Sequence, residues 1–293
     1  NLVYPLIGLI VAVGVMFATG GCAVVAVKLG QGKRQEANRD FTLITVAAVL
    51  LALVISAVSL FAMDGIIAFL GAEGETARYC KEYLFIIMLF APASALQMVF
   101  QDFLIVAGRP HLGLGFSVAS GILNILLDYV FMVPLGMGIR GAAWGTVSGY
   151  LLSAVGGLVF FLRHKKGLTF AKPSRSIKTL LKSCGNGSSE MVTNLAGSIT
   201  TLLFNFYMLR MAGSDGVAAV TAVLYCQFLM NSFYIGFSIG VGPIVSYHLG
   251  AGNKPFLRRT IRRCTLFVCL TSVLVCGLAF LCAGPISAAF FTG

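Results

Sequence analysis

The chain has 293 residues, of which 58% are hydrophobic and 11% charged, with a net charge of +11. Soluble domains carry about 25% charged residues, so a soluble globular protein is excluded for want of a polar surface. The positive charge would suit nucleic acid, but none of it lies in a stretch able to fold as a soluble domain, so no nucleic-acid partner is expected.

Crossing a lipid bilayer takes about 20 apolar residues per helix. Eight such stretches follow one another: 4–27, 43–70, 83–106, 114–135, 141–162, 189–211, 217–249 and 264–283. Val46–Leu60 is apolar almost throughout, whereas a membrane β-strand alternates over about 10 residues. The predicted fold class is therefore an all-α polytopic membrane protein, with the lipid bilayer as its surroundings. Residues 1–162 form a first lobe and 163–188 a polar, basic cytoplasmic linker; 189–293 form a second lobe, truncated and lacking its last helices. In the linker Ile177, Leu180, Leu181 and Cys184 recur at helical spacing opposite Arg175, Lys178 and Lys182, the pattern of an amphipathic helix on a membrane surface.

Sorted by alternate loops, 17 of the 21 Lys and Arg residues fall on one side and 4 on the other: Arg78, Lys81, Arg140 and Arg210. The positive-inside rule assigns the 17-residue side to the cytoplasm, in a cell (plasma) membrane, and puts both chain ends outside. Asn1 is neither Met nor part of a basic leader, so the chain reads as a piece of something longer. The eight cysteines have no metal-ligand spacing, and neither zinc nor disulfides are expected.

The first and seventh stretches repeat at an offset of 220 without a gap. Phe17, Gly20, Val25, Leu29, Gly30, Gly32 and Arg39 meet Phe237, Gly240, Val245, Leu249, Gly250, Gly252 and Arg259. Each copy ends in Leu-Gly-x-Gly, where a glycine just past the helix takes the left-handed conformation that caps the last carbonyls. Both enter the membrane from the same side, so the repeat is parallel, with its axis along the membrane normal and a binding cleft between the halves. That cleft is expected to be the largest cavity.

Most acidic residues have loop or interface positions: Glu73, Glu75, Glu82 and Asp215 outside, Glu36 and Asp40 in a cytoplasmic loop, Asp64 and Asp102 near segment ends within reach of headgroups. Asp128 lies deeper, about 21 Å along the fourth stretch. A carboxylate there must be neutralised, paired or hydrated and is functional by default. Asn124 stands one turn earlier on the same face. The pair suits a proton or Na⁺; the plainer reading is a helix-packing hydrogen bond. In the second lobe Glu190, at the start of its stretch, suits a first-turn carboxylate favoured by the helix dipole, and Asn205, deeper, an interhelix hydrogen-bonding group.

Gly121-Ile-Leu-Asn124-Ile-Leu-Leu-Asp128-Tyr and Gly136-Met-Gly138-Ile-Arg-Gly141-Ala-Ala-Trp-Gly-Thr146 resemble the fifth and sixth helices of the multidrug and toxic-compound extrusion (MATE) family, prokaryotic type. Ala107-Gly-Arg-Pro110, Leu29-Gly-Gln-Gly32 and Leu249-Gly-Ala-Gly252 resemble its interhelix turns, so that the chain corresponds to helices two to nine of twelve. The resemblance implies a monomeric secondary antiporter with no cofactor, not an enzyme, exporting organic, cationic and amphipathic small molecules in exchange for H⁺ or Na⁺ as two lobes rock. It implies a cation or proton site at Asp128 and Asn124 and a second-lobe site at Glu190 and Asn205. A lipid-linked oligosaccharide flippase of the same superfamily would need cations deep in its cavity, and a membrane-embedded enzyme a polar catalytic cluster; neither pattern is present.

Overall fold

Apolar runs of this length become helices because the backbone has no other hydrogen-bond partner in hydrocarbon. The computed structural model describes residues 3–69, 72–164 and 167–291, and among them every regular element is helical. In chain order these are α1 (Tyr4–Gly30), α2 (Arg34–Phe61), α3 (Met63–Phe69), α4 (Gly74–Leu89), α5 (Ala91–Val106), α6 (Pro110–Met132), α7 (Ile139–Arg163), α8 (Ile177–Gly250) and α9 (Lys254–Phe291). Six helices are long and apolar enough to cross a membrane, and seven if α4 and α5, bent by 52° to one another, count as one span. Pro92 stands at the start of α5, where its missing N–H lets the helical ladder break.

The first half, α1 to α7, has two cores. Phe41, Phe100, Phe103 and Phe161 fill one between α2, α5 and α7, with Phe41 ring centroids 4.8 Å from Phe103 and 4.7 Å from Phe161. Ile10, Met63, Leu84, Met88 and Val147 fill the other, toward the opposite end. Asp40, expected in a loop, is buried on α2, where Lys28 meets it at 2.6 Å. The chain after α7 is strapped back onto α2. Asn38 Nδ2 donates to Thr169 Oγ1 at 3.0 Å, Asn38 Oδ1 accepts from the Thr169 N–H, and Thr42 Oγ1 accepts from the Ala171 N–H.

The greatest departure from the sequence reading is α8. Ser176 caps it through the Thr179 N–H, and its helical backbone runs on through 212–216, where a turn between two spans is predicted. The stretch 177–188 is thus the first part of this helix and not a separate surface segment. Its buried face is Thr179, Ser183 and Gly187, while Ile177 and Leu181 are exposed. Both arms of α8 nevertheless lie on α1. A Cβ on Gly187 would strike the backbone of Met16, and one on Gly250 the backbone of Val27. Those contacts are about 16 Å apart along α1, whereas a straight helix from 187 to 250 would run about 95 Å. The element therefore turns back on itself between its two arms.

The two Leu-Gly-x-Gly turns match bond for bond at the 220 offset. Gly32 and Gly252 have φ of 77° and 70°. Gly32 N–H donates to Leu29 O, and Lys33 N–H to Lys28 O; Gly252 N–H donates to Leu249 O, and Asn253 N–H to His248 O. These are the two bonds of a Schellman cap. The turns also touch: a Cβ on Gly30 would fall onto Tyr247 O, and one on Gly250 onto Val27 O. Val27 and Tyr247 are themselves 220 residues apart, so the contact is reciprocal and compatible with a two-fold axis passing through it.

Candidate functional site

The α6–α7 pair is built on small residues that let two helices approach closely. Gly141, Gly145, Gly149 and Ser153 recur every four residues along α7. Ser153 Oγ lies 2.7 Å from Ser120 Oγ, and a Cβ on Gly141 would stand 2.9 Å from Phe131 Cβ. Between these contacts Asp128 lies against the bare backbone of Gly145: a Cβ there would fall onto the Asp128 Oδ1 atom and 3.0 Å from Cγ. Ile125, Leu126 and Tyr129 take the exposed face of α6, while Asn124 and Asp128 are half-buried on the other. The two polar side chains are thus turned toward α7 and away from the exposed apolar face of α6.

Asn124 Nδ2 donates toward Asp128 Oδ1 at 3.4 Å and toward Thr146 Oγ1 at 3.5 Å; Thr146 Oγ1 donates to Ala142 O at 3.0 Å. The cluster thus joins a carboxylate to an amide and a hydroxyl, with the Tyr83 phenol of α4 near enough to act on them electrostatically, and the long Asn124 contacts leave room for the carboxylate to take another partner. No Lys or Arg forms a hydrogen bond or ion pair with Asp128 among the described residues. Thr146, Tyr83 and Gly145 have no candidate role in the sequence reading, although the four-residue spacing of α7 glycines is a visible signal of close packing.

The second-half candidates do not join this cluster. Glu190 is in the fourth turn of α8, far from the Ser176 cap, which removes the first-turn dipole reading. It lines a cavity of about 160 Å³ between α1, α5 and both arms of α8. Asp102 lines the same cavity and is 9% exposed. The open, hydrated position expected for it is not what the structure shows, because α1 and α8 close over it. The Asn205 side chain lies outside the described residues. Next to the Glu190 cavity, and sharing Pro243 with it, a second cavity of about 190 Å³ is bounded by Ala26, Leu29, Ile105, Pro243, Tyr247 and His248. A larger apolar groove of about 300 Å³ lies between α8 and α9, at Met230, Phe233 and Leu274. This groove exceeds either of the two cavities between the halves taken singly. Among the described residues no group of His, Cys, Asp and Glu could hold a metal through three such ligands.

Three basic residues on the predicted outer side are paired with acids. Glu82 accepts from Arg78 at 3.2 Å and from Arg140 at 2.9 Å, and Lys81 meets Asp64 at 2.6 Å.

Comparison with known proteins agrees with this construction. The MatE family profile matches residues 1–130 and 173–292. The chain is 26% identical over 287 residues to the multidrug export protein MepA of Staphylococcus haemolyticus (strain JCSC1435), covering 94% of this chain and 63% of that protein. It is 24% identical over 296 residues to MepA of Staphylococcus aureus (strain MSSA476), covering 100% of this chain and 64% of that protein. The chain thus spans less than two thirds of these relatives. Among solved structures, a MATE transporter in complex with MaL6 superposes with a TM-score of 0.93 at 20% identity, covering 100% of this chain and 66% of the other. An outward-facing multidrug resistance MATE transporter of the MOP superfamily gives 0.90 at 20% identity, covering 100% and 65%. The fold, the α6–α7 site and the match over most of the sequence lead to one assignment: the chain belongs to the MatE family, the multidrug and toxic-compound extrusion transporters.

Proposed function

We propose that this protein is a secondary antiporter of the plasma membrane that exports organic, cationic and amphipathic compounds in exchange for H⁺ or Na⁺. The observation that carries the reading is the Asp128 carboxylate, held inside the first half by Asn124 and Gly145 with no basic partner among the described residues. An unpaired acid in a membrane interior must gain and lose a cation to be tolerated in either state. Loading Asp128 shifts the balance between inward-open and outward-open forms only by its difference in affinity for them. The two lobes, related by a two-fold along the membrane normal, rock about the cleft, with 163–188 as the connection between them. The transporter works as a monomer and needs no cofactor, and Glu190 and Asn205 supply a second-half site. The α1/α5/α8 cavity has no Lys or Arg among its described lining residues, which argues against a pyrophosphate-bearing lipid as cargo. Glu82 and Asp64 offset two of the three charges of Arg78, Lys81 and Arg140 and leave the larger positive excess at the other end, in keeping with that end being cytoplasmic.

Asp128→Asn keeps the side-chain shape and removes the titratable charge. In the full-length protein it should abolish ion-driven efflux of a fluorescent organic cation at normal expression, and Asn124→Ala should weaken ion dependence less. Wild-type efflux by Asp128→Asn would defeat the assignment.

A further inference from the structure

We infer that Asp102 and Glu190 form a second cation site, one that bridges the two halves and takes a single monovalent cation, either a shared proton or Na⁺. The inference rests on the reading of the protein as an ion-driven exporter and deepens its second-half site, giving Glu190 a partner, Asp102, from the first half.

Asp102 comes from α5 in the first half and Glu190 from α8 in the second, and both open onto the same cavity of about 160 Å³. Glu190 is near enough to act electrostatically on Asp102. Asp102 is only 9% exposed, and no hydrogen bond or ion pair reaches its carboxylate among the described residues. A buried carboxylate facing another carboxylate without a donor is costly, and a cation between them removes the cost.

The rest of the wall is suited to a hard cation. Ser189, Ser238, Ser246 and Thr19 offer hydroxyl oxygens, and Thr19 already donates its proton to Val15 O at 2.8 Å, which leaves its lone pairs free. A backbone feature adds to this. Pro243 lies inside α8 and has no N–H, so Ile239 O loses its i+4 donor. Both Ile239 and Pro243 line the cavity. Interrupted helical ladders supply carbonyls to coupling ions in other transporters for this reason. The volume is below the roughly 300–1,000 Å³ of pockets for drug-sized ligands, so the occupant is small.

The titratable groups lining the cavity are Asp102 from α5, Cys22 from α1 and Glu190 from α8. The other helices packed on α5, which are α2, α4, α6 and α7, contribute no lining side chain among the described residues. Lys28 is held by Asp40 and Glu36, and His248 lines the neighbouring cavity. The site links occupancy to shape. Because the two carboxylates belong to different halves, a bound cation draws the halves together and an empty site drives them apart.

The test uses full-length protein in liposomes, native cysteines replaced, with cysteines introduced at Gln31 and Ala251 beside the Gly30–Gly250 contact. The rate of cross-linking should rise about tenfold when choline is replaced by Na⁺, or when alkaline buffer is replaced by acidic buffer. A response to Na⁺ alone identifies a Na⁺ site, and one to pH alone a shared proton. Asp102→Asn and Glu190→Gln should each cross-link fast under all conditions, while Asp102→Glu, which restores the charge, should recover the dependence and so separate site loss from misfolding. Asp128→Asn should lose efflux yet keep the cross-linking response. The inference is overturned by a wild type that responds to neither cation, by neutral variants that respond as the wild type does, or by loss of the response in Asp128→Asn. That last result would leave the Asp128 reading standing.

Discussion

Gly145→Ala tests whether the position of Asp128, and not merely its charge, is what α7 provides. The new Cβ would fall onto Asp128 Oδ1, 3.0 Å from Cγ and 3.1 Å from the backbone nitrogen. To restore ordinary van der Waals contact the carboxylate oxygen must move by more than about 1 Å, toward a different rotamer, and α6 must give slightly. Overpacking of this kind costs about 1–3 kcal/mol, which a folded membrane protein survives. Misplacing a binding group by about 1 Å costs up to about a hundredfold in function. The half-saturating ion concentration for efflux should therefore rise by about 10- to 100-fold, or about 1.4–2.8 kcal/mol. The assay is efflux from proteoliposomes of full-length protein over a range of Na⁺ and pH, with thermal stability measured alongside. Gly149→Ala is the control, because its Cβ would meet Ser120 O at 3.1 Å and leave Asp128 untouched. Equal shifts in both variants, or none in Gly145→Ala, would refute the reasoning.

Leu at Gly30 or at Gly250 should hold the halves apart and slow Gln31–Ala251 cross-linking alike, with the double variant no worse than either, since both residues meet at one crossing. Asn38→Ala removes both bonds to Thr169 and should cost about 1–3 kcal/mol, seen as a lower melting temperature with ion dependence unchanged. Gly74→Cys should label from outside intact cells and Asn253→Cys only after the membrane is opened; the reverse would invert the topology.

Helical facing was legible in the sequence, because it depends only on residue spacing. Asn124 and Asp128, four residues apart, share one face of α6, and the structure has them in one cluster. The Leu-Gly-x-Gly caps were legible too, since left-handed glycine leaves a local signature. What lies beside a helix is not written at fixed spacing. Asp102 is four residues from the end of α5, and counting alone puts it at the headgroups; only the packing of α1 and α8 buries it. Glu190 looked like a first-turn acid because the polar run before it hid that α8 begins at Ile177. The reversal between the stretches 189–211 and 217–249 was legible as well, for both arms of α8 lie on α1 and the chain turns back between them.

Gly30 and Gly250 meet as identical chains do across a dimer axis, each giving the other the same residue. Two glycines clear this crossing, and a side chain at either one would fill the same space. Their neighbours are not matched in this way. Lys28 meets Glu36 at 3.2 Å, whereas 220 residues on, His248 packs its ring 3.8 Å from that of Phe256. An ion pair in one copy thus stands where the other has a ring contact, so the two halves differ in chemistry around a crossing whose geometry is the same from either side.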